Sequence, residues 1–328
     1  MKSDLVQQLQ TALAGNYTIE RELGHGGMAT VFLAHDRAGN PVAFKLLNPD
    51  LGSTVGADRF RREIRVAARL QHPNILGVLD SGVAAVPSGG GSVELLWFTM
   101  PFVQGQNVWE RFDKEGPFPT DEVIRIGRAV ASALTYAHEQ GVVHRDIKPD
   151  NIMLKDHQVL VADFGVARAV SEVHEKLTAT GMVVGTPTYM SPEQASGDKE
   201  IDGRSDVFAL ACVLYELLSG EPPFHGPTPQ AALMRRFTGP PRNLRPIVQV
   251  PEHVEAALFR ALARDPAERF ASAHDFAAAL AGEPVRAAPA AATPAASAAA
   301  EAKGKKGCTA VILVAAALGT AIRMLLLA

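Results

Sequence analysis

The stretch from His144 to Gly165 limits what this chain can fold into more than any other part of it. It reads His-Arg-Asp-Ile-Lys-Pro-Asp-Asn, then Ile-Met-Leu-Lys-Asp-His-Gln-Val-Leu-Val-Ala, then Asp-Phe-Gly. A turn built on Pro149 holds Asp146, Lys148 and Asn151 on one side. Ile152-Met153-Leu154 and Val159-Leu160-Val161 are short enough to be two paired strands, with Lys155-Asp156-His157-Gln158 as their turn, and Asp163 emerges from the second strand to face the first turn. One carboxylate that takes a hydroxyl proton, a second carboxylate and an amide for metal, and a lysine for phosphate make a phosphoryl-transfer site. A surface hairpin with solvated charges is the plain alternative; so many matched positions argue against it.

The rest of the chain has room for such a site. Its 328 residues allow two domains, or two lobes and a tail, with enough apolar content for a core. A net charge of −3 argues against a nucleic-acid binder. Acids outnumber bases in residues 1–282 and bases outnumber acids after that, so the tail has a different environment. Two cysteines, Cys212 and Cys308, make no disulfide framework and point to a reducing compartment. No signal peptide opens the chain; after a Ser3/Asp4 cap, Leu5, Val6, Leu9 and Leu13 fall on one face of a short helix ending at Gly15-Asn16.

Strands are predicted over Tyr17–Leu23 and Thr30–His35, around the glycine-rich turn Gly24-His25-Gly26-Gly27-Met28-Ala29, where backbone amides can approach phosphate closely. Val42-Ala43-Phe44-Lys45 is a third strand, Arg59–Leu70 a helix, and Ile75–Val83 and Val93–Met100 two more strands, with Pro87–Ser92 as a hairpin tip. Thr120 caps a long helix that has Asp121 and Glu122 in its first turn. Asp206–Ser219 is apolar on nearly every face, which makes it a buried helix stopped by Gly220, with Cys212 as core.

With these motifs in this order, the chain resembles a protein kinase, and most of all the eukaryotic-like (Hanks-type) transmembrane serine/threonine kinases of bacteria. The resemblance runs roughly from Tyr17 to Leu280. It implies an α+β bilobal fold, with a small sheet-rich lobe (17–103), a larger helical lobe (104–282) and ATP between them. In such a kinase Asp146 orients and deprotonates the substrate hydroxyl, Asn151 and Asp163 hold Mg²⁺ (or Mn²⁺), and Lys148 marks Ser/Thr specificity and touches the transferred phosphate. Lys45 reaches the α- and β-phosphates and pairs with Glu63. Leu23, Gly24, Gly26 and Gly27 cover the nucleotide; Val31, Ala43 and Met153 sandwich the purine. Met100 guards the back of the adenine pocket, and Pro101 and Val103 offer it a carbonyl and an amide. Thr178 and Thr180 stand where related kinases autophosphorylate, Arg145 is the arginine that receives such a phosphate, and Thr186 belongs to the same activation segment as a regulatory residue. Asp206 bonds the catalytic turn, and Glu193 pairs with Arg269. The sequence departs from the pattern where Ala29 replaces a third glycine, Phe44 an aliphatic residue and Ser191 an alanine. A scaffold that binds without transferring phosphate is the competing class, but Lys45, Asp146, Asn151 and Asp163 are all present.

From Gly282 the composition turns to alanine and proline, which reads as a disordered linker (283–307) ending in Lys303, Lys305 and Lys306. The apolar run 308–328 matches the roughly 20 residues that a bilayer span needs. Arg323, near its end, can snorkel, and the lysines before it fit a cytoplasmic flank. These features predict a single-pass anchor in the inner membrane with a cytoplasmic kinase body; a helix lying on the membrane or docking to a partner is the alternative. With nothing after the span, no external sensor domain is expected. Protein substrates and ATP are the expected partners, and a homodimer leaves no mark to read.

Overall fold

A computed structural model describes residues 2–13, 15–27, 29–48, 57–88, 91–164 and 187–285. The chain divides into two units, Met1–Arg286 and Ala287–Ala328, and every described residue lies in the first. The first half runs α1 (Lys2–Ala12), β1 (Tyr17–His25), β2 (Ala29–Asp36), β3 (Pro41–Leu47), α2 (Ala57–Ala67), β4 (Asp80–Ser88) and β5 (Gly91–Pro101). Then follow β6 (Gln106–Asn107), α3 (Val108–Glu115), α4 (Thr120–Glu139), β7 (Ile152–Lys155) and β8 (Gln158–Val161). The remaining helices are α5 (Pro192–Ala195), α6 (Gly203–Ser219), α7 (Pro229–Thr238), α8 (Glu252–Ala261) and α9 (Ala273–Leu280).

β1 to β5 form an antiparallel sheet in the order β1-β2-β3-β5-β4. Alternation along β3 sends Ala43 and Leu47 to one face and Val42, Phe44 and Leu46 to the other. α2 covers the first face through Phe60 and Ile64, which pack with Leu47, Phe98 and Met100. α1 covers the second: Leu9 and Leu13 join Phe32, Phe44, Leu95 and Trp97 in one buried cluster. Phe44 therefore has a reason to be aromatic. It stacks on Trp97 at 5.0 Å, and the Tyr17 ring meets it edge-on at 5.7 Å.

The helical part is built around α6, buried without a break from Ser205 to Leu218, capped by the Asp202 side chain and stopped at Gly220 in the left-handed region (φ 85°). α4 and α9 pack on it, and Leu134, Phe208, Leu214 and Leu280 share their core. β6, β7 and β8 make a small sheet beside them, joined at Asp156 (φ 52°) by the tight turn expected there.

Several boundaries differ from the sequence reading. α1 starts at Lys2, so Ser3 and Asp4 lie inside it rather than capping it. Pro119, not Thr120, is the N-cap of α4: its carbonyl already accepts from Val123, which draws Thr120 into the first turn. The strand expected from Ile75 begins at Asp80, because the backbone before it pairs elsewhere. Ile75 bridges Val161, Leu76 N–H donates to Val161 O, and Val161 N–H donates to Asn74 O. That segment ties β8 to the sheet-bearing part. β4 and β5 pair as far as Ser88 and Gly91, so the hairpin tip is shorter than expected; Pro87 is tolerated because β4 is an edge strand. The sequence reading placed no helix at α3, capped by a reciprocal Asn107–Glu110 box, at α5, capped by Ser191, or at α7, capped by Thr228.

Candidate active site

The turn before β7 carries the site, and a buried carboxylate sets its shape. Asp206, on the first turn of α6, accepts the backbone N–H of His144 at 2.8 Å and of Arg145 at 2.7 Å, and contacts His138 Nε2 at 2.8 Å. Arg145 is held in the left-handed region (φ 68°), where a non-glycine residue persists only if its surroundings fix it. Gln194 of α5 donates to Arg145 O at 2.9 Å. His144, fully buried, packs edge-on against Phe164 at 4.6 Å and links Nε2 to Ala162 O at 2.9 Å. Sequence reasoning assigned no role to His144 or Gln194, and their types carry no signal of one.

Asp146 follows, one-third exposed, with Lys148 Nζ at 2.9 Å and Asn151 Nδ2 at 3.1 Å, both on Oδ2. Asn151 Nδ2 also donates to Asp146 O at 2.7 Å, so the side-chain carbonyl is the end of Asn151 left for a cation. Burial works to lower the Lys148 pKa, but the carboxylates of Asp146, Asp150 and Asp163 outweigh it and hold the amine above its ordinary range. Lys148 thus lies in the field of both catalytic-site carboxylates.

Asp163, also left-handed (φ 68°), leaves β8 and meets Lys45 of β3: Nζ lies 2.5 Å from Oδ2. Burial pushes the Asp163 carboxyl up, yet Lys45, His144 and Lys148 bring it below the usual range, so it is ionised. Its Oδ1 is buried with no hydrogen-bond partner among the described residues. Among the described residues Lys45 pairs with Asp163, where the resemblance implied Glu63. A buried carboxylate demands a cation, and the Lys45 amine meets that demand at Asp163 while α2 carries Glu63.

The residues that the resemblance assigns to the nucleotide lie along the sheet side of the site. Gly24 is paired with Val31, and Val31 with Lys45; Ala43 is opposite Met100. An added Cβ at Gly24, Gly26 or Gly27 would meet nothing within 4 Å, so packing does not require these glycines. Asn48, which the sequence reading passed over, fastens the turn by donating to Gly27 O at 2.7 Å. Met100 is buried, Leu23 and Pro101 are exposed, Val103 is half-buried, and Met153 lies on β7 opposite Asn107. Behind Met100 and Phe98 a cavity of about 10 Å³ reaches Asp163 and Phe164, room for about one water. Glu193 and Arg269 form a buried two-pronged pair at 2.7 and 2.8 Å, as expected. Gly165, Thr178, Thr180 and Thr186 lie outside the described residues.

The family model described as protein kinase domain matches residues 17–279. Serine/threonine-protein kinase PknB of Mycolicibacterium smegmatis is 40% identical over 267 residues, 80% of this chain and 42% of that protein. A probable serine/threonine-protein kinase of Streptomyces coelicolor is 39% identical over 83% of this chain and 41% of its own length. The chain thus spans less than half of these relatives. Among solved structures, the Mycobacterium tuberculosis PknI kinase domain is 34% identical with a TM-score of 0.61, covering 82% of this chain and 95% of that one. Rad53 in complex with AMP-PNP is 24% identical with a TM-score of 0.63 over 80% of this chain and 64% of its own, a likeness of fold.

Proposed function

The chain belongs to the protein kinase family, and from that premise we propose that it transfers the γ-phosphoryl of ATP to Ser or Thr hydroxyls of proteins, itself included. One observation carries the reading: Asp146 sits in a turn with Lys148 and Asn151 on its carboxylate, and Lys148 also feels the ionised, buried Asp163. Asp146 Oδ1 accepts no hydrogen bond among the described residues; it orients the acceptor hydroxyl and takes its proton as the bond to phosphorus forms. Lys148 neutralises charge on the transferred group, and Lys45 holds the α- and β-phosphates. The retained ionic groups disfavour a non-transferring scaffold.

Mg²⁺ (or Mn²⁺) fits the residues present, since the unpartnered buried Asp163 Oδ1 and the Asn151 side-chain carbonyl are hard oxygen donors. Such an ion would supply positive charge to neutralise the phosphates of the nucleotide. Asp163 and Asn151 would hold it, and the Asp206 bonds to His144 and Arg145 fix the turn that carries Asn151.

The test is Asp146→Asn. Transfer should fall by about a thousandfold while ATP binding stays near wild type, because the carboxylate acts on the hydroxyl. Near-full activity would remove Asp146 from the catalytic role.

Regulation and location belong to the same proposal, on sequence grounds. Phosphate on Thr178 or Thr180 activates the enzyme through Arg145, and Thr186 lies in the same segment. Residues 308–328 anchor the protein in the inner membrane with the kinase body cytoplasmic, as a monomer or homodimer. Among the described residues no helix is long and apolar enough to cross a membrane, and 308–328 lie outside them. Carbonate and high-salt washes of membranes should leave the full chain in the pellet and free a chain ending near Ala302; release of the full chain would favour a peripheral helix.

A further inference from the structure

Among the described residues two arginines are buried, Arg236 and Arg269, each 2% exposed. Arg269 has Glu193. Arg236 has no carboxylate among the described residues. Its guanidinium, in the last turn of α7, donates to two backbone carbonyls: Nη1 to Met190 O, and Nη2 to Thr188 O at 3.0 Å. Nε has no partner among the described residues, and the group lies 5.8 Å from the Phe224 ring. Burial lowers its pKa, and the thiol of Cys212 is the other group acting on it. An unpaired buried cation is costly, and helix propensity does not require one here, since the exposed neighbour Arg235 already complements the helix C-terminus.

The two carbonyls flank Tyr189, which is buried and donates its hydroxyl to Glu216 Oε2 at 2.5 Å. Thr188 and Met190 are only half-buried, so the strip has an anchored underside and an open upper side. The same strip leads through Ser191, which caps α5, to Gln194, whose side chain donates to Arg145 O, one residue before Asp146. Through Ser191 and Gln194 the strip is thus tied to the backbone beside Asp146, and its half-buried residues leave it partly open to solvent. We propose that Arg236 is a positioning residue for the protein substrate: by holding the Thr188 and Met190 carbonyls it fixes the ledge on which the acceptor segment lies. This rests on the kinase reading above. Arg236 touches neither nucleotide nor acceptor and acts through the ledge alone.

Such a role separates acceptor from nucleotide. The full chain and its Arg236→Met, Arg236→Gln and Arg236→Lys variants would be assayed with dephosphorylated casein as acceptor, alongside ATP hydrolysis without acceptor and thermal melting. Arg236→Met should raise KM for casein about tenfold while KM for ATP and acceptor-free hydrolysis stay within about twofold. Arg236→Gln, which keeps one amide donor, should rise about threefold, and Arg236→Lys should fall between wild type and Met. If Arg236→Met does not fold, the Gln and Lys variants carry the same comparison. An unchanged casein KM in folded variants, or equal losses for casein and ATP, overturns the proposal and leaves Arg236 a packing residue. A wild type that neither hydrolyses ATP nor phosphorylates casein would instead sink the kinase reading.

Discussion

Lys45 and Asp163 stand 2.5 Å apart, the one on the third strand of the sheet, the other just beyond β8 in the helical part. The pair joins the sheet to the helical part, and it satisfies only half of the Asp163 carboxylate, because Oδ1 is buried without a hydrogen-bond partner among the described residues. An ionised oxygen in that state favours a cation strongly. ATP should therefore raise the melting temperature more with Mg²⁺ than without it, and Asp163→Asn should abolish the metal-dependent part while leaving the ATP-only shift. Survival of the Mg²⁺ increment in Asp163→Asn would remove Asp163 from the metal site.

The Glu193–Arg269 pair should be a stability determinant. Truncating one partner of a buried pair leaves an uncompensated charge, so Arg269→Ala should cost about 3–5 kcal/mol by denaturant unfolding. Burial pushes the Glu193 carboxyl up, but Arg269 and Ser205 bring it below its ordinary value of 4.5. A folded pKa below the unfolded one stabilises fully above the unfolded value, and that contribution is lost as pH falls through the folded one. Wild-type stability should thus drop below about pH 4.5, and the Arg269→Ala profile should be flatter there. Parallel acid profiles would show that the pair contributes nothing to the titration.

Gly203 opens α6 next to the residue that holds the catalytic turn. A Cβ there would lie 2.5 Å from His138 Nδ1, and the other ring nitrogen of His138 contacts Asp206. Gly203→Ala has to displace the ring, so we expect a loss of about 1–3 kcal/mol. Turnover should fall too, through Asp206 and the amides of His144 and Arg145. Full stability with full turnover would mean that the ring moves aside freely.

The elements that carry the chemistry were the legible ones. Asp146, Lys148, Asn151 and Asp163 occupy one turn and one hairpin, so short-range spacing alone brings them together. Partners far apart in sequence were legible only through the kinase resemblance, as with Glu193 and Arg269. Where several arrangements satisfy the same charges, order along the chain decides nothing: Lys45 was assigned to Glu63 and pairs with Asp163. Arg235 and Arg236 look alike in the sequence, and only the packing of α7 turns one outward and buries the other. Strand ends were misjudged at Ile75, where apolar character suited a strand but the backbone bonds had gone to Val161.

The N-terminal helix should be an integral part of the sheet lobe. Its Leu9 is fully buried and Leu13 nearly so, in the same cluster as Phe44 and Trp97. Gln10 uses both ends of its amide on the first strand, donating to Tyr17 O at 2.9 Å and accepting from Ile19 N–H at 2.7 Å. Without α1 the outer row of β3 and the stacked Phe44–Trp97 pair would face water. Leu9→Ala removes buried methyl groups from a packed site and should cost about 2–5 kcal/mol by urea unfolding. The described contacts of the helix are with Tyr17, Ile19 and the outer face of the sheet, so kcat and KM for ATP at temperatures well below the melting point should stay within about twofold of wild type. A cost under about 0.5 kcal/mol would show α1 to be a loose appendage, and a selective rise in KM for ATP would show that it reaches the nucleotide cleft through the sheet.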